Sequence, residues 1–388
     1  MAFSIPPPLT LYIHLPWCLR KCPYCDFNSH ATREEPDTEG YRRALLADLD
    51  LEKPLAAGRS IASIFIGGGT PSLFPPREIS ALLQGVRERL STVADLEVTL
   101  EANPGTLEAG YYAGYRAAGV NRLSIGVQSF DSGSLRALDR IHCGEQALAA
   151  ADSARRGGFE RINLDLMFGL PQQTREMALA DVKQAIALRP NHISYYQLTL
   201  EPNTPFYHSP PPLPSEEIIW QMQCQGHRQL IDAGYQQYEI SAFSRPGEEC
   251  RHNLNYWLFG DYIGIGAGAH GKLTDLAKQR VVRRWRVRDP QRYLEQAGTK
   301  GAVSGQRTLD QGDLELEFLL NGCRLNRGFS RNLFESRTGV SFVQVHDRIE
   351  TAVDRGLLSQ EEGGAIRPTE LGRRYLNDLL ALFLPEEQ

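Results

Sequence analysis

The stretch Tyr12-Ile-His-Leu-Pro-Trp-Cys18-Leu-Arg-Lys-Cys22-Pro-Tyr-Cys25 decides the fold class, because it joins an apolar strand to three closely spaced thiols. The predicted strand covers Leu9–Pro16, and the thiols follow it in a C-x3-C-x2-C pattern. Cysteine thiolates are the ligands that hold iron–sulfur clusters. Three of them bind three irons of a cubane and leave the fourth iron open. The spacing therefore predicts a [4Fe–4S] cluster on Cys18, Cys22 and Cys25.

Two other interpretations of the thiols remain: a structural zinc site, and free thiols without a metal. Structural zinc takes four ligands, and the fourth could come from His14 or His30. His14 lies inside the predicted strand, which disfavours it. The chain has seven cysteines, an odd number that does not suggest a disulfide framework. The other four, Cys143, Cys224, Cys250 and Cys323, are interpreted as small buried hydrophobic residues.

Short apolar runs alternate with amphipathic helical segments over the first half of the chain. Six strands in series with helices between them predict an α/β fold with a parallel sheet. Right-handed crossovers would curl this sheet into a partial (β/α)6 barrel. The predicted strands are Leu9–Pro16, Ile61–Gly67, Leu96–Ala102, Arg122–Gln128, Arg161–Phe168 and His192–Leu200.

The regular alternation ends near residue 202, and we divide the chain there. Residues 1–202 form the predicted barrel, 203–308 an extension, and 309–388 a small helical domain. The extension has predicted strands at Tyr238–Phe243 and Tyr262–Ala267 and an extended stretch at Arg280–Arg288. In the last domain, helices are followed by a short hairpin, which predicts a winged-helix-like module.

Composition excludes several classes of protein. The net charge of −5 gives no overall field that attracts nucleic acid. No run reaches the roughly 18 consecutive apolar residues of a membrane span. Residues 1–8 show no basic and apolar segments of an export signal, so we expect a cytoplasmic location. Membrane contact is expected only at the periphery, through a partner protein.

The cysteine loop after the first strand of a (β/α) chain resembles the radical S-adenosylmethionine (SAM) superfamily. In that superfamily the amino and carboxylate groups of SAM chelate the open iron, and the reduced cluster passes an electron to the sulfonium. The run Gly67-Gly68-Gly69-Thr70 follows the second strand and resembles the glycine-rich motif that contacts the methionyl amino group. Successive glycines let the backbone approach a ligand closely.

Polar residues recur at the ends of the later strands. Glu101, Gln128 and Asp165 suit ribose hydroxyls and an ammonium group, and Arg140 suits a carboxylate. Each one alone is as easily an ordinary strand-end residue, but four on one barrel face favour a SAM pocket. A charge inside an apolar strand, as at Asp165, is costly unless it is paired.

These motifs are similar, one by one, to those of the oxygen-independent coproporphyrinogen III oxidase family (HemN family), over most of the chain. The resemblance implies that Tyr12 and Tyr24 flank the cluster and SAM, although a tyrosine at either position is as easily core or rim. Two features depart from the oxidases. Phe27 stands where they have a fourth cysteine, and only about eleven residues precede the body of the first strand, where they have a long extension.

A better match is the heme chaperone branch of the family, through Arg251-His252-Asn-Leu-Asn-Tyr256-Trp257. This segment resembles the branch's heme-binding motif and implies that His252 binds heme iron. A neutral imidazole is a good axial ligand, and the aromatic pair offers flat surface to a porphyrin. The alternative is an ordinary loop histidine beside core aromatics.

Two further segments could belong to a cofactor site. The glycine-rich run Gly264–Gly271 is interpreted as another close backbone approach, with His270 as a second possible heme ligand. The basic run Arg283–Arg288 could pair with heme propionates. The favoured interpretation of this run is a solvated edge strand protected by its charges.

Three functions follow from these patterns. The first is a heme chaperone that binds heme and passes it to an unknown hemoprotein acceptor, with a [4Fe–4S] cluster and exchangeable SAM as cofactors and without assigned catalytic residues. The second is a radical SAM oxidase or decarboxylase acting on coproporphyrinogen III or a related substrate. The third, a nucleic-acid-modifying enzyme, is disfavoured by the acidic charge. Phe27 and the His252 segment favour the first.

Overall fold

The main feature of the fold is a single twelve-stranded sheet, seen in a computed structural model that describes residues 3–32, 34–361 and 363–384. The strands are β1 (Leu9–Leu15), β2 (Trp17–Cys18), β3 (His30–Ala31), β4 (Ile61–Gly68), β5 (Thr92–Ala102), β6 (Arg122–Gln128), β7 (Arg161–Phe168), β8 (His192–Gln197), β9 (Gln236–Gln237), β10 (Ala242–Ser244), β11 (Asp261–Ile265), β12 (His270–Asp275), β13 (Arg280–Arg286), β14 (Val303–Thr308), β15 (Phe329–Ser330), β16 (Leu358–Gln360) and β17 (Ala365–Pro368).

The helices lie mainly between the strands of the sheet and in the C-terminal part. They are α1 (Thr38–Glu52), α2 (Pro76–Arg89), α3 (Thr106–Ala118), α4 (Ser132–Ala137), α5 (Gly144–Arg156), α6 (Arg175–Ala187), α7 (Pro205–His208), α8 (Glu216–Asp232), α9 (Arg251–Trp257), α10 (Pro290–Gln296), α11 (Gln311–Gly322), α12 (Arg331–Thr338), α13 (Val343–Asp354), α14 (Glu370–Arg374) and α15 (Leu376–Ala381).

The six predicted barrel strands pair in parallel in chain order, β1-β4-β5-β6-β7-β8. The bounds of β6 and β7 are those predicted. Strand β1 is buried at every position except Tyr12, which is half-buried. Strands covered on both faces read as near-continuous apolar runs, which is why the sequence marks them clearly. The α/β fold with a partial barrel is confirmed.

Residues 203–308 add strands to both ends of this parallel sheet. Strand β11 pairs in parallel with β1, and β12, β13 and β14 continue antiparallel beyond it. At the other end, β10 pairs with β8, and β9 with β10. Of the predicted strand Tyr238–Phe243, only Ala242 and Phe243 lie in a strand, β10, and β9 precedes the predicted range. The division of the chain at residues 202 and 308 stays a prediction.

The basic run Arg283–Arg288 does not form an edge strand, and this prediction was wrong. Strand β13 lies between β12 and β14. Arg286 is only 1% exposed. Its Nε donates to both carboxylate oxygens of Asp48 at 2.9 Å, and a terminal nitrogen lies 2.9 Å from Glu52. A buried charge needs such partners, and they come from helix α1, far away in sequence.

The C-terminal part contains α11–α15 and the small sheet β15-β17-β16, as predicted for a helical, winged-helix-like module. The helical stretch after the hairpin is divided into α14 and α15. A separate apolar core is centred on Phe318 and Phe334, and it also includes Phe3, Phe259 and Val281. Because these three come from outside the module, it packs on α9, β13 and the N-terminal segment.

Two further expectations concern membranes and cysteines. In the described ranges, no helix has both the length and the apolar character needed to cross a bilayer. Cys250 and Cys323 are buried, as predicted for small hydrophobic residues. Cys143 and Cys224 are exposed, so the prediction was wrong for these two.

Candidate SAM and cluster site

A cavity of about 480 Å³ opens at the carboxyl ends of the barrel strands and reaches into the barrel. We call it the first cavity. Active sites in parallel barrels lie at this end, because the loops after the strands converge there. All predicted site residues except Tyr12 and His252 line it: Cys18, Cys22, Tyr24, Cys25, Gly68, Gly69, Thr70, Glu101, Gln128, Arg140 and Asp165.

The three thiols lie together on the loop after β1, and all three are free. Burial raises the pKa of the Cys18 and Cys25 thiols, and hydrogen bonding with Ser29 opposes this effect at both. No group of three or more His, Cys, Asp or Glu among the described residues could hold a single metal ion. A cubane has a different requirement, since three thiolates bind three separate irons rather than one ion.

The alternative zinc ligands are engaged elsewhere. His14 lies in β1, as predicted, and its Nδ1 is 2.9 Å from the Tyr12 hydroxyl. Its Nε2 is 2.9 Å from the carbonyl oxygen of Asn28. The Nε2 of His30 lies 3.4 Å from Oδ1 of Asn28. Neither imidazole offers a convincing fourth ligand to the thiols.

Arg140 brings a positive charge to the cluster loop. It follows α4, and one terminal nitrogen lies 3.7 Å from Sγ of Cys22. The other donates to Oδ1 of Asn103 at 2.6 Å and to the carbonyl oxygen of Gly126 at 2.9 Å. Its Nε is buried and has no hydrogen-bond partner among the described residues. Arg140 thus links the cysteine loop to β6 and places a positive charge beside Cys22.

The glycine run after β4 lets the backbone pass very close to the cysteine loop. A Cβ on Gly69 would lie 2.6 Å from the carbonyl oxygen of Trp17, next to Cys18. Gly68 has a φ of +123° and would place a Cβ 2.8 Å from the carbonyl oxygen of Leu15. Both positions therefore require glycine, and the amide of Gly69 donates to Leu15 at 2.7 Å.

Two carboxyl groups face the interior of the barrel. Burial raises the pKa of Glu101 to about 8, and nearby Asp165 contributes to the rise, while the Gly68 amide opposes it. Burial also raises the pKa of Asp165, against hydrogen bonds that include those from Asn163 and Ser124. A cationic ligand would relieve the cost of ionising this pair of acids. The site is thus suited to an ammonium or sulfonium group.

Gln128 and Tyr24 complete the wall near the thiols. Gln128 ends β6 in a left-handed conformation, with φ of +66°, and accepts a hydrogen bond from the Tyr196 hydroxyl at 2.8 Å. Tyr24 packs against Phe206, with ring centroids 6.5 Å apart. Both residues line the first cavity.

Tyr12 and His252 do not line the first cavity. Tyr12 faces a neighbouring cavity of about 550 Å³, which we call the second cavity. The two cavities share four residues in their walls: Asp26, Phe27, Gly68 and Glu101. His252 lies on α9 rather than in a loop, is 1% exposed, and lines neither cavity.

Sequence reasoning missed several cavity residues that lie deeper in the barrel. Ser124, Asn163, His192, Ser194 and Tyr196 line the first cavity. Asn163 and Asp165 are two apart on β7, and His192, Ser194 and Tyr196 alternate along β8. Residues at this spacing share one face of a strand. This alternation of polar residues along β7 and β8 is the sequence signal that could have identified them.

The residues present fit a [4Fe–4S] cluster and SAM. The donor set has three free thiols on one loop, a guanidinium beside one of them, and a glycine backbone that side chains would block. Carboxyl and amide oxygens stand at the adjacent strand ends. This arrangement defines a radical SAM protein.

Comparisons with known proteins agree. The radical SAM superfamily matches residues 12–185, and the HemN C-terminal domain matches residues 309–375. Heme chaperone HemW of Escherichia coli (strain K12) is 48% identical over 380 residues, covering 98% of this chain and 99% of the relative. HemW of Haemophilus influenzae is 46% identical over 386 residues, with 98% and 99% coverage. The solved coproporphyrinogen III oxidase (HemN) of Escherichia coli superposes with a TM-score of 0.82 at 25% identity, covering 97% of this chain and 90% of that one.

The chain therefore belongs to the radical SAM superfamily, in the HemN-like family, and within that family to the heme chaperone HemW branch. Membership of the superfamily implies a [4Fe–4S] cluster and SAM as cofactors.

Proposed function

We propose that this protein is a cytoplasmic heme chaperone, which binds heme and transfers it to a hemoprotein acceptor while it carries a [4Fe–4S] cluster with exchangeable SAM. The observation that carries the proposal is the similarity to HemW proteins over nearly the whole of both chains. The proposal includes no nucleic-acid partner, and it places membrane contact only at the acceptor.

The first cavity is the proposed cluster and SAM site. Cys18, Cys22 and Cys25 would hold the cluster, which when bound supplies an open iron and an electron for the sulfonium. Gly68, Gly69 and Thr70 would lie against the methionyl end, and Tyr24 would flank it.

The remaining polar groups of the first cavity would orient SAM. Glu101 would accept from an ammonium, Gln128 and Asp165 suit ribose hydroxyls, and the guanidinium of Arg140 suits a carboxylate. Tyr12 would act from behind this wall, through the second cavity.

His252, the heme ligand that the sequence motif predicts, is held in place by two hydrogen bonds. Its Nδ1 lies 3.0 Å from the Ser63 hydroxyl, and its Nε2 lies 3.1 Å from the Tyr256 hydroxyl. Burial lowers the pKa of His252 to about 3, so the ring is neutral, as an iron ligand must be. Ligation of iron through Nε2 would require the Tyr256 hydroxyl to move away, whereas the contact of Nδ1 with Ser63 could remain.

Hemin titration of the purified protein tests the proposal. A saturable Soret band at one heme per chain is the expected result, and transfer of that heme to an added apo-hemoprotein should exceed the rate from hemin in buffer. Absence of saturable binding would contradict a chaperone function.

The oxidase function has one observation in its favour, the close superposition on a coproporphyrinogen III oxidase. Phe27, where the oxidases have a fourth cysteine, argues against it. Anaerobic incubation with reductant, SAM and coproporphyrinogen III separates the two functions. We expect no decarboxylated product, and its appearance would establish the oxidase instead.

A further inference from the structure

The second cavity has the character of a site for a flat aromatic ligand. Its volume of about 550 Å³ lies within the roughly 300–1,000 Å³ of ligand cavities. Four aromatic side chains line it: Tyr12, Phe27, Tyr256 and Tyr262. Phe27 lies at the rim and is 58% exposed. Apolar walls of this kind suit a ligand with a large flat face.

His270 places an available imidazole at this cavity. The residue begins β12, is exposed, and stacks on Trp285 across the strand pair at a ring distance of 6.3 Å. Neither of its ring nitrogens has a hydrogen-bond partner within residues 3–32, 34–361 and 363–384. Partial burial and the nearby arginines lower its pKa, which keeps the ring neutral. His14, the other histidine of this cavity, has both nitrogens engaged.

Arg288 adds a positive charge to the same cavity. Arg283, Arg284 and Arg286 of the basic run form ion pairs with carboxylates. The guanidinium of Arg288 forms none with any described residue and is exposed. Asp26 and Glu101 are the acidic residues of the cavity. An unpaired guanidinium at the rim is suited to a carboxylate of the ligand.

The residues of α9 divide between the two cavities. Asn253 and Trp257 line the first cavity, and Tyr256 lines the second. Both ring nitrogens of His252 form hydrogen-bond contacts, one with Ser63 and the other with Tyr256. The segment predicted from sequence as the heme motif thus contributes an aromatic wall to the second cavity, while its histidine is unavailable in this conformation.

We infer that heme docks in the second cavity, with His270 as the ligand to its iron, Arg288 paired with a propionate, and Tyr256 and Tyr262 against the porphyrin. This inference rests on the proposed heme-binding function and names the site at which that function is carried out. Heme and SAM would then lie on opposite sides of the wall to which Gly68 and Glu101 contribute.

Titrations with hemin and with iron-free protoporphyrin IX test the inference on the full chain. His270→Gln should weaken hemin binding at least tenfold and shift the Soret band, because an axial ligand is lost. The same variant should leave protoporphyrin IX binding unchanged, because the walls remain. Arg288→Gln should weaken the binding of both porphyrins by a few fold.

One histidine control accompanies these variants. His208 is exposed on α7 and lines neither cavity, so His208→Gln should bind hemin as the wild type does. If His270→Gln binds hemin as tightly as the wild type does, the inference is overturned, while the chaperone function stands. Failure of the wild type to bind hemin at all would overturn the proposed function itself.

Discussion

The backbone amide of Gly68 donates a hydrogen bond to Oε2 of Glu101 over 3.0 Å. Both residues line the first cavity and the second cavity, so this contact forms part of the wall between them. A Cβ on Gly67 would lie 2.9 Å from the same oxygen, which shows how closely the strand ends approach there. A ligand in either cavity would therefore act on the same two residues.

Glu101→Gln should stabilise the cofactor-free protein at alkaline pH. Burial raises the pKa of Glu101 from 4.5 to about 8, so the folded state holds its proton more tightly than the unfolded chain does. This contribution to stability is fully present below 4.5 and is lost as the pH rises toward 8. A side chain that cannot ionise avoids the loss.

We expect the free energy of unfolding of Glu101→Gln to exceed that of the wild type by about 1–2 kcal/mol near pH 8, since water in the cavities screens part of the full effect. The gain should be much smaller near pH 5.5. Urea unfolding at both pH values is the measurement, with exposed Glu160→Gln as the control. A gain independent of pH would show that Glu101 does not titrate in this way.

Gly69→Ala should damage the cluster site through a steric effect alone. Its Cβ would press on the Trp17 carbonyl at 2.6 Å and on the Pro16 carbonyl carbon at 2.8 Å, displacing the chain that leads to Cys18. We expect a loss of about 1–3 kcal/mol in stability and a lower iron content after reconstitution. Gly110→Ala is the matched control, because nothing lies within 4 Å of its Cβ and it is helical. If Gly69→Ala and Gly110→Ala had the same stability and iron content, the close approach of Gly69 to the cysteine loop would be refuted.

Arg286→Met should be strongly destabilising, by about 3–5 kcal/mol, because it leaves the buried carboxylate of Asp48 without a cationic partner and leaves Glu52 with Arg284 alone. The hydroxyl of Tyr293 donates to Asp48 at 2.8 Å and cannot replace the charge. Thermal and denaturant unfolding provide the measurement. Exposed Arg292→Met on α10 should change stability by less than about 0.5 kcal/mol. A similar result for Arg286→Met would mean that the ion pairs contribute no stability.

His252→Ala should destabilise the fold by about 1–3 kcal/mol, because the buried hydroxyls of Ser63 and Tyr256 lose their partner. A double-mutant cycle with Ser63→Ala isolates the contact, and the double variant should lose less stability than the two single losses added together. Strict additivity would show that Ser63 and His252 do not interact in solution.

The barrel and most of its site could be predicted from the sequence for a simple reason. Doubly covered strands such as β6 and β7 are apolar runs, and parallel strands bring their carboxyl ends to one edge. One cavity is therefore lined by polar residues from separate strands, such as Glu101, Gln128 and Asp165.

Sequence could not predict contacts between residues that lie far apart along the chain. From sequence alone, a run of arginines suggests a solvent-exposed edge strand. In the structure, Arg286 pairs with Asp48 of α1, which lies 238 positions earlier in the chain. The contact of His252 with Ser63 of β4 is likewise distant in sequence, and the role of His252 as a heme ligand stays a prediction. Local pattern carries no information about either partner.

EPR spectroscopy of the anaerobically reconstituted and reduced protein, recorded with and without SAM, tests the central claim most directly. We predict a [4Fe–4S] signal that changes when SAM is added, because SAM ligates the open iron. Alanine at Cys18, Cys22 or Cys25 should abolish the signal, while alanine at exposed Cys143 or Cys224 should preserve it. A signal that is indifferent to SAM, or that survives the loss of any of the three loop thiols, would contradict the claim.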